Sequence, residues 1–207
     1  MFNEVQKKVL REAAKLFLTL GYEKTSIRML EKNTGVNYGS IMYAFESKEN
    51  LVSSLVEIVL ETQFEFATEL IKNKTEDKML VYITETVLQL YLAEASEHMR
   101  EMYNVSYSLP ASTKRVHNAI TSKLEEIFKE QLPNYTTKDF YYLELGAAGI
   151  MRSYMNRKCD MFFTMDTKVE KFIEVLLLIY RVPNDRINEA IEFVKEIDFK
   201  ELVPKFI

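Results

Sequence analysis

Cysteine is nearly missing from this sequence: Cys159 is the only one in 207 residues. A single thiol excludes an internal disulfide and disfavours a thiolate zinc site. Histidine is almost as scarce. His98 and His117 stand alone, without the local spacing of a ligand set, so no metal is expected. Glycine (5) and proline (4) are few. With so few turn formers and little alternation of apolar and polar residues, the expectation is an all-α chain with short connections. Long apolar runs are absent too. "VLLLIY" (Val175 to Tyr180) falls far short of the about 20 residues that span a bilayer. Asn3, Glu4, Gln6, Lys7 and Lys8 interrupt any N-terminal export signal, which makes the cytoplasm the expected location and excludes a membrane partner. Also missing are a Ser/His/Asp set, a phosphate-binding glycine loop and an HExxH pair, so neither catalytic residues nor a cofactor are expected. Glu94 and Glu97 with His98 make the one cluster with acid–base potential, and ordinary helix-surface charge accounts for it equally well.

What is present is a balanced soluble composition, 47% hydrophobic and 28% charged, enough for a sizeable core. The net charge of −4 is unevenly spread. Residues 1–50 carry eight Lys/Arg and six Asp/Glu, a net of +2; the remainder carries 19 and 25, a net of −6. That asymmetry is compatible with a nucleic-acid-contacting N-terminal part on an acidic body.

Helical periodicity then divides the chain into about ten helices. Val5, Val9, Leu10, Ala13, Leu16, Phe17 and Leu20 recur in steps of three and four, ending at Gly21. Thr25 or Ser26 caps a second helix, about 27–33, that buries Ile27 and Leu30. Gly35 turns the chain into a third, very short helix holding Ile41 and Phe45 inward. Ser47 caps a long fourth helix, about 48–74. Further helices are expected at about 75–96, 97–108, 110–131, 136–157, 167–181 and 185–197, the seventh opened by Pro110 and the eighth and ninth by capping boxes at Thr136 and Thr167.

The third helix raises a question of stability. Two turns do not persist alone in water. "TGVNYGSIMYAF" therefore leans on its neighbours through Val36, Ile41 and Phe45, while Asn37, Tyr38, Ser40 and Tyr43 stay outside. Short or rigid hydrogen-bonding groups suit base edges and phosphates, and Gly39 permits close backbone approach. A short helix braced by two others in this way is a helix-turn-helix.

Here the stretch "LFLTLGYEKTSIRMLEKNTGVNYGSIMYAFESKENL" resembles the N-terminal domain of the tetracycline-repressor (TetR) family. The likeness rests on Gly21, Tyr22, Thr25, Ser26, Ile27, Arg28, Gly35, Val36, Gly39, Phe45, Ser47, Lys48, Glu49 and Leu51, and covers about residues 5–52. It implies a DNA-binding domain over 1–48 and a helical ligand-binding and dimerisation domain over 49–207. It also implies a homodimeric regulator, a repressor released from double-stranded DNA by a small-molecule effector. Thr25, Ser26 and Lys48 would meet phosphates; Arg28, Asn37, Tyr38, Gly39, Ser40, Met42 and Tyr43 would lie at the major groove or its walls. Three positions depart from the pattern. Met42 replaces a phosphate-contacting Tyr, Glu31 a small Ala, and Tyr38 a frequent Lys or Arg, which lowers the expected number of phosphate contacts. An activator, a helix-turn-helix adaptor that binds protein, and an all-helical enzyme are the alternative readings.

In the body, "LELGAAGIM" (Leu143 to Met151) places glycines in mid-helix, and "FIEVLLLIY" (Phe172 to Tyr180) is apolar nearly all round. Both point to a four-helix dimer interface, or else to plain core helices. An effector pocket for an apolar or aromatic ligand is expected between Tyr91–Leu109 and Ile150–Phe163, with Tyr91, His98, Met102, Tyr103, Tyr107, Met151, Tyr154, Met155 and Cys159 as candidate contacts. The competing reading is that these residues are core.

Overall fold

A computed structural model describes residues 2–206. Eleven α-helices run in the order α1 Glu4–Leu20, α2 Ile27–Thr34, α3 Tyr38–Phe45, α4 Lys48–Ile71, α5 Lys78–Ala95, α6 Glu97–Ser106, α7 Pro110–Phe128, α8 Thr137–Asn156, α9 Met165–Ile179, α10 Asn184–Lys195 and α11 Phe199–Leu202. A 3-10 turn, Val203–Lys205, follows, and there are no strands among the described residues.

Local chemistry sets most boundaries. Asn3 opens α1 through a reciprocal box with Gln6. Ser26, Ser47 and Thr136 cap α2, α4 and α8 as expected, each accepting a backbone N–H three residues on. Five expectations fail. The fifth helix starts at Lys78, not Thr75, because the Asp77 carboxylate accepts from the Met79 N–H at 2.8 Å. The ninth starts at Met165: Thr164, not Thr167, supplies the cap, accepting from the Thr167 N–H at 3.3 Å. The fourth and seventh end early, at Ile71 and Phe128. Finally, α11 and its 3-10 turn form an eleventh element that no periodic pattern announced.

The body is built around α5, which is buried on almost every side and carries Leu80, Ile83, Val87 and Leu90 into the core. Tyr82 sends its ring edge-on to Phe128 and Tyr180, themselves stacked at 4.1 Å. The C-terminal segment closes over α4 and α5. Phe206 packs edge-on to Phe66 at 4.9 Å, and Phe199 stacks on Tyr91 at 5.1 Å. At the other end, α1, α2 and α3 surround Val9, Leu10, Phe17, Leu30, Ile41 and Phe45. Val5 and Leu20 fall off the buried stripe of α1, and Ile27 is only half-buried. The α4 helix packs against both groups of helices, touching α1 and α3 near its start and α5, α6 and α7 beyond. No helix of the described residues is long and apolar enough to cross a membrane.

Candidate nucleic-acid interface and adjoining cavity

The short α3 is held by polar contacts at its start and apolar ones beneath. Gly35 ends α2 in the left-handed region, φ 70°, which lets the chain reverse within three residues. Asn37 caps α3, its Oδ1 accepting from the Ser40 N–H at 2.8 Å. Glu31 reaches across the turn and accepts the Tyr38 N–H at 2.7 Å. The departure from a small residue at Glu31 thus has a local purpose: its carboxylate satisfies a free donor at the positive end of α3. Replacing Glu31 by Ala should cost about 1 kcal/mol, a fall of about 2–4 °C in the thermal midpoint. The same change should strengthen non-specific DNA binding at low salt by removing a negative charge. Glu31→Gln, which keeps an acceptor, should show the second effect without most of the first. Thermal melts and a salt titration on a random duplex separate the two.

The outer face of α3 is as the pattern required. Tyr43 is 92% exposed and Tyr38 45%, with Gly39 and Ser40 exposed beside them. An added Cβ on Gly39 would meet only Asn37 Oδ1, at 3.5 Å, so nothing within the chain demands glycine there. Two candidates sit elsewhere. Thr25 is buried, and its hydroxyl donates to the Gly21 carbonyl at 2.9 Å, so it braces the turn rather than facing outward. Met42 is half-buried between the outer face and the core. Ser26 and Arg28 are exposed at the start of α2. The Lys48 ammonium lies 3.9 Å from the Tyr22 ring centroid, and burial lowers its pKa against the opposing fields of Glu23 and Glu101.

The sequence profile described as "Bacterial regulatory proteins, tetR family" matches residues 9–55, from α1 into α4. Over that stretch the chain carries the N-terminal part of the tetR family. The matched helices have the helix-turn-helix fold of the DNA-binding domain of these regulators. The whole fold is also similar to that of RolR. The RolR complex with its ligand resorcinol superposes with a TM-score of 0.64 at 14% identity, over 91% of this chain and 92% of that one. RolR without ligand gives 0.62 at 12% identity, over 90% and 96%. No curated protein matches in sequence.

Behind the tetR-family domain lies a cavity of ≈ 250 Å³. Its walls are Ala14, Phe17 and Leu18 of α1, the Leu55–Gln63 face of α4, Gln89 and Leu92 of α5, Met99, Met102, Tyr103 and Ser106 of α6, then Tyr107, Val116 and Phe206. Of the candidate contact residues, Met102, Tyr103 and Tyr107 line this cavity. The others do not. Tyr91 is covered by Phe199; His98 bonds the Leu18 carbonyl through Nδ1 at 3.1 Å; Tyr154 packs on Phe172 at 5.5 Å; Met155 is core. Cys159 donates its N–H to Glu94 at 2.9 Å outside the cavity, and Met151 lines a smaller inner void of ≈ 20 Å³. No residue of α8, α9 or the segment between them lines this cavity, whose walls come from α1, α4, α5, α6, α7 and Phe206. The α1 and α4 contributions were missed. The one available signal was the apolar stripe of α4, wider than a single neighbour covers: Ile58 and Val59 remain exposed at 38% and 41%.

The acid–base cluster is dispersed. Glu94 bonds Lys168 at 2.9 Å and meets Arg100 at 3.4 Å, while Glu97 pairs with Lys158 at 2.5 Å. Burial pushes the Glu94 carboxyl up, but Lys168, the Cys159 N–H and Arg100 outweigh it and leave the pKa lowered.

Deeper carboxyls behave differently. Burial raises Glu85 to about 8, against a hydrogen bond from Gln89. Glu144 is also raised by burial, although His117 Nδ1 lies 3.3 Å away. A carboxyl with a raised folded pKa binds its proton more tightly in the folded state. Stability from this source is fully present below the unfolded value and drains away as pH rises to about 8. The thermal midpoint should fall between pH 5 and 8, and Glu85→Gln should flatten that slope.

Proposed function

We propose that this chain is a homodimeric repressor of the cytoplasm, without catalytic activity, released from its operator by a small apolar or aromatic effector. Residues 1–48 act as the reading head and 49–207 as the effector-binding and dimerisation part. The observation that carries the reading is α3 itself, an eight-residue helix fixed by Asn37, Glu31, Ile41 and Phe45 that turns Tyr38, Gly39, Ser40 and Tyr43 to solvent. Such a helix has the width and the hydrogen-bonding edge for a major groove.

Dimerisation is supported by the outer face of α8 and α9. Tyr142 (54%), Leu145 (44%) and Leu178 (52%) are exposed there with Val175, and an added Cβ at Gly149 would meet nothing of its own chain within 4 Å. A two-fold mate on this face covers the patch and gives Gly149 a neighbour. Two heads then stand about 34–36 Å apart, one turn of DNA.

Effector control is supported by what the cavity touches. The Met99–Tyr103 face of α6 lines it, and the same helix abuts the end of α1: His98 holds the Leu18 carbonyl, and the Glu101 carboxylate lies where a Cβ on Gly21 would come within 2.6 Å. Phe17 and Leu18 of α1 line the cavity directly. A ligand that fits one arrangement of α1, α4 and α6 better than another shifts the spacing of the heads by its difference in affinity. A mobility shift on the duplex upstream of the protein's own coding sequence tests the reading. Binding is expected to be sequence-specific and to weaken steeply with salt. Absence of any such complex at low salt ends the proposal.

A further inference from the structure

Among the eleven helices of the described residues, α3 alone carries no Asp, Glu, Lys or Arg; it reads Tyr-Gly-Ser-Ile-Met-Tyr-Ala-Phe. Charged and polar side chains are the usual occupants of an exposed helix face. In α3, Ile41 and Phe45 point inward, at 1% and 4% exposed, and the opposite side holds Gly39, Ser40 and Tyr43. Gly39 and Tyr43 are four residues apart, one above the other on that side. Side chains on a helix lean toward its N-terminus, so the Tyr43 ring borders the space that Gly39 leaves. That space is open: an added Cβ at Gly39 would meet only Asn37 Oδ1, at 3.5 Å. The ring, 92% exposed, is nearly free of its own chain. An aromatic wall beside a missing side chain makes an apolar notch with room for one methyl group.

Few base edges can be told apart by such a face. Guanine is read best by Arg or Lys and the cytosine amine by Asp or Glu, none of which α3 has. Adenine calls for the paired acceptor and donor of Asn or Gln, and Asn37 already commits its Oδ1 to the Ser40 N–H at 2.8 Å. Serine and tyrosine hydroxyls both donate and accept, so they discriminate weakly. The specific contact that remains is an apolar one, with the C5 methyl of thymine.

We infer that the notch between Gly39 and Tyr43 is the receptor for a thymine methyl group, so that each operator half-site carries a thymine at a fixed position opposite α3. The inference rests on the reading of α3 as the groove-facing helix and names the base it selects. Guanine readout falls to cations outside α3, such as Arg28, exposed on α2. An uncharged face suits the task. It loses little hydration on entering the groove, and the methyl group and the ring leave water together. Because the contact is apolar and local, salt should weaken binding to every duplex while leaving the preference for thymine unchanged.

The test starts from the sequence that the full-length protein selects out of a pool of random duplexes. In that duplex each thymine is replaced in turn by deoxyuridine, which removes the methyl group alone, and affinity is read by fluorescence anisotropy. One position in each half-site should lose about four- to tenfold. At that position a 5-methylcytosine–guanine pair should bind more tightly than a cytosine–guanine pair. Tyr43→Ala should weaken the thymine duplex by at least as much and show no further loss with deoxyuridine, a coupling that a double-mutant cycle measures. Tyr43→Phe should keep the preference. The ratio of thymine to deoxyuridine affinities should hold from about 50 to 200 mM salt while both affinities fall. Tyr43 lies at the surface, so the circular dichroism of both variants should match that of the parent. A duplex in which no deoxyuridine matters, or a deoxyuridine penalty that persists in Tyr43→Ala, overturns the methyl receptor and leaves the reading head standing. An equal loss in Tyr43→Phe on every duplex assigns the hydroxyl to a phosphate and overturns it too. Selection of no sequence at all overturns the reading head and the receptor together.

Discussion

Arginine in place of Leu178 should turn the proposed dimer into a monomer and weaken operator binding by at least 100-fold. Leu178 is 52% exposed in the single chain, one turn from exposed Val175, and α8, which packs on α9, exposes Tyr142 and Leu145. In a two-fold interface each arginine would be buried near its own symmetry mate, and the carboxylate one turn away, Glu174, is already held by Lys171 at 2.8 Å. Burying an unpaired charge costs several kcal/mol, enough to separate a dimer of ordinary stability. The operator effect follows from valency. Two linked heads bind about 10²–10⁴-fold more tightly than one. The substitution lies at the surface of the single chain, so the helical circular dichroism should persist. Light scattering and fluorescence anisotropy on a labelled operator duplex measure the two effects. A variant that stays dimeric would move the interface away from α8 and α9.

Gly39→Ala should do two opposite things. In a helix, alanine is favoured over glycine by about 0.5–1 kcal/mol. The new methyl meets only Asn37 Oδ1, at an ordinary 3.5 Å, so the domain should become slightly more stable. The same methyl projects from the exposed face of α3, where the groove wall would lie. It should hold the helix off and cost about 1–3 kcal/mol of specific binding, a loss of at least tenfold. A stabilised variant that binds less well cannot be explained by unfolding. If affinity is unchanged, the outer face of α3 does not approach the duplex as closely as proposed.

What could be read from the sequence was mainly local. Gly21 and Gly35 mark helix ends, Ser26 and Ser47 mark starts, and the spacing of Ile41 and Phe45 fixes which side of α3 faces in; all lie within one or two turns of what they control. Contacts across turns were hidden. Glu31 and Tyr38 are seven residues apart, and no helical spacing joins them. The fate of the Thr25 hydroxyl depended on the turn geometry that brings it to Gly21. Where two threonines three residues apart offered caps, Thr164 prevailed over Thr167 by adding a turn that carries Met165 into the packing. The cavity was the least legible feature. Its walls come from α1, α4, α5, α6, α7 and Phe206, so no stretch of sequence contains it. Methionine and aromatic density found α6, but in α8 the same density is packed away, because Tyr154 and Met155 face α9 and the interior, and in the loop after it Met161 and Phe162 are exposed.

Methylation interference on the bound operator tests most directly whether α3 reads the major groove. Guanine N7 lies in that groove and adenine N3 in the minor one. The account predicts that N7 methylation blocks binding at two clusters of guanines about one helical turn apart, and that Tyr43→Ala relaxes the pattern equally in both. Interference confined to adenine N3, or none at all on a duplex the protein binds, would contradict it.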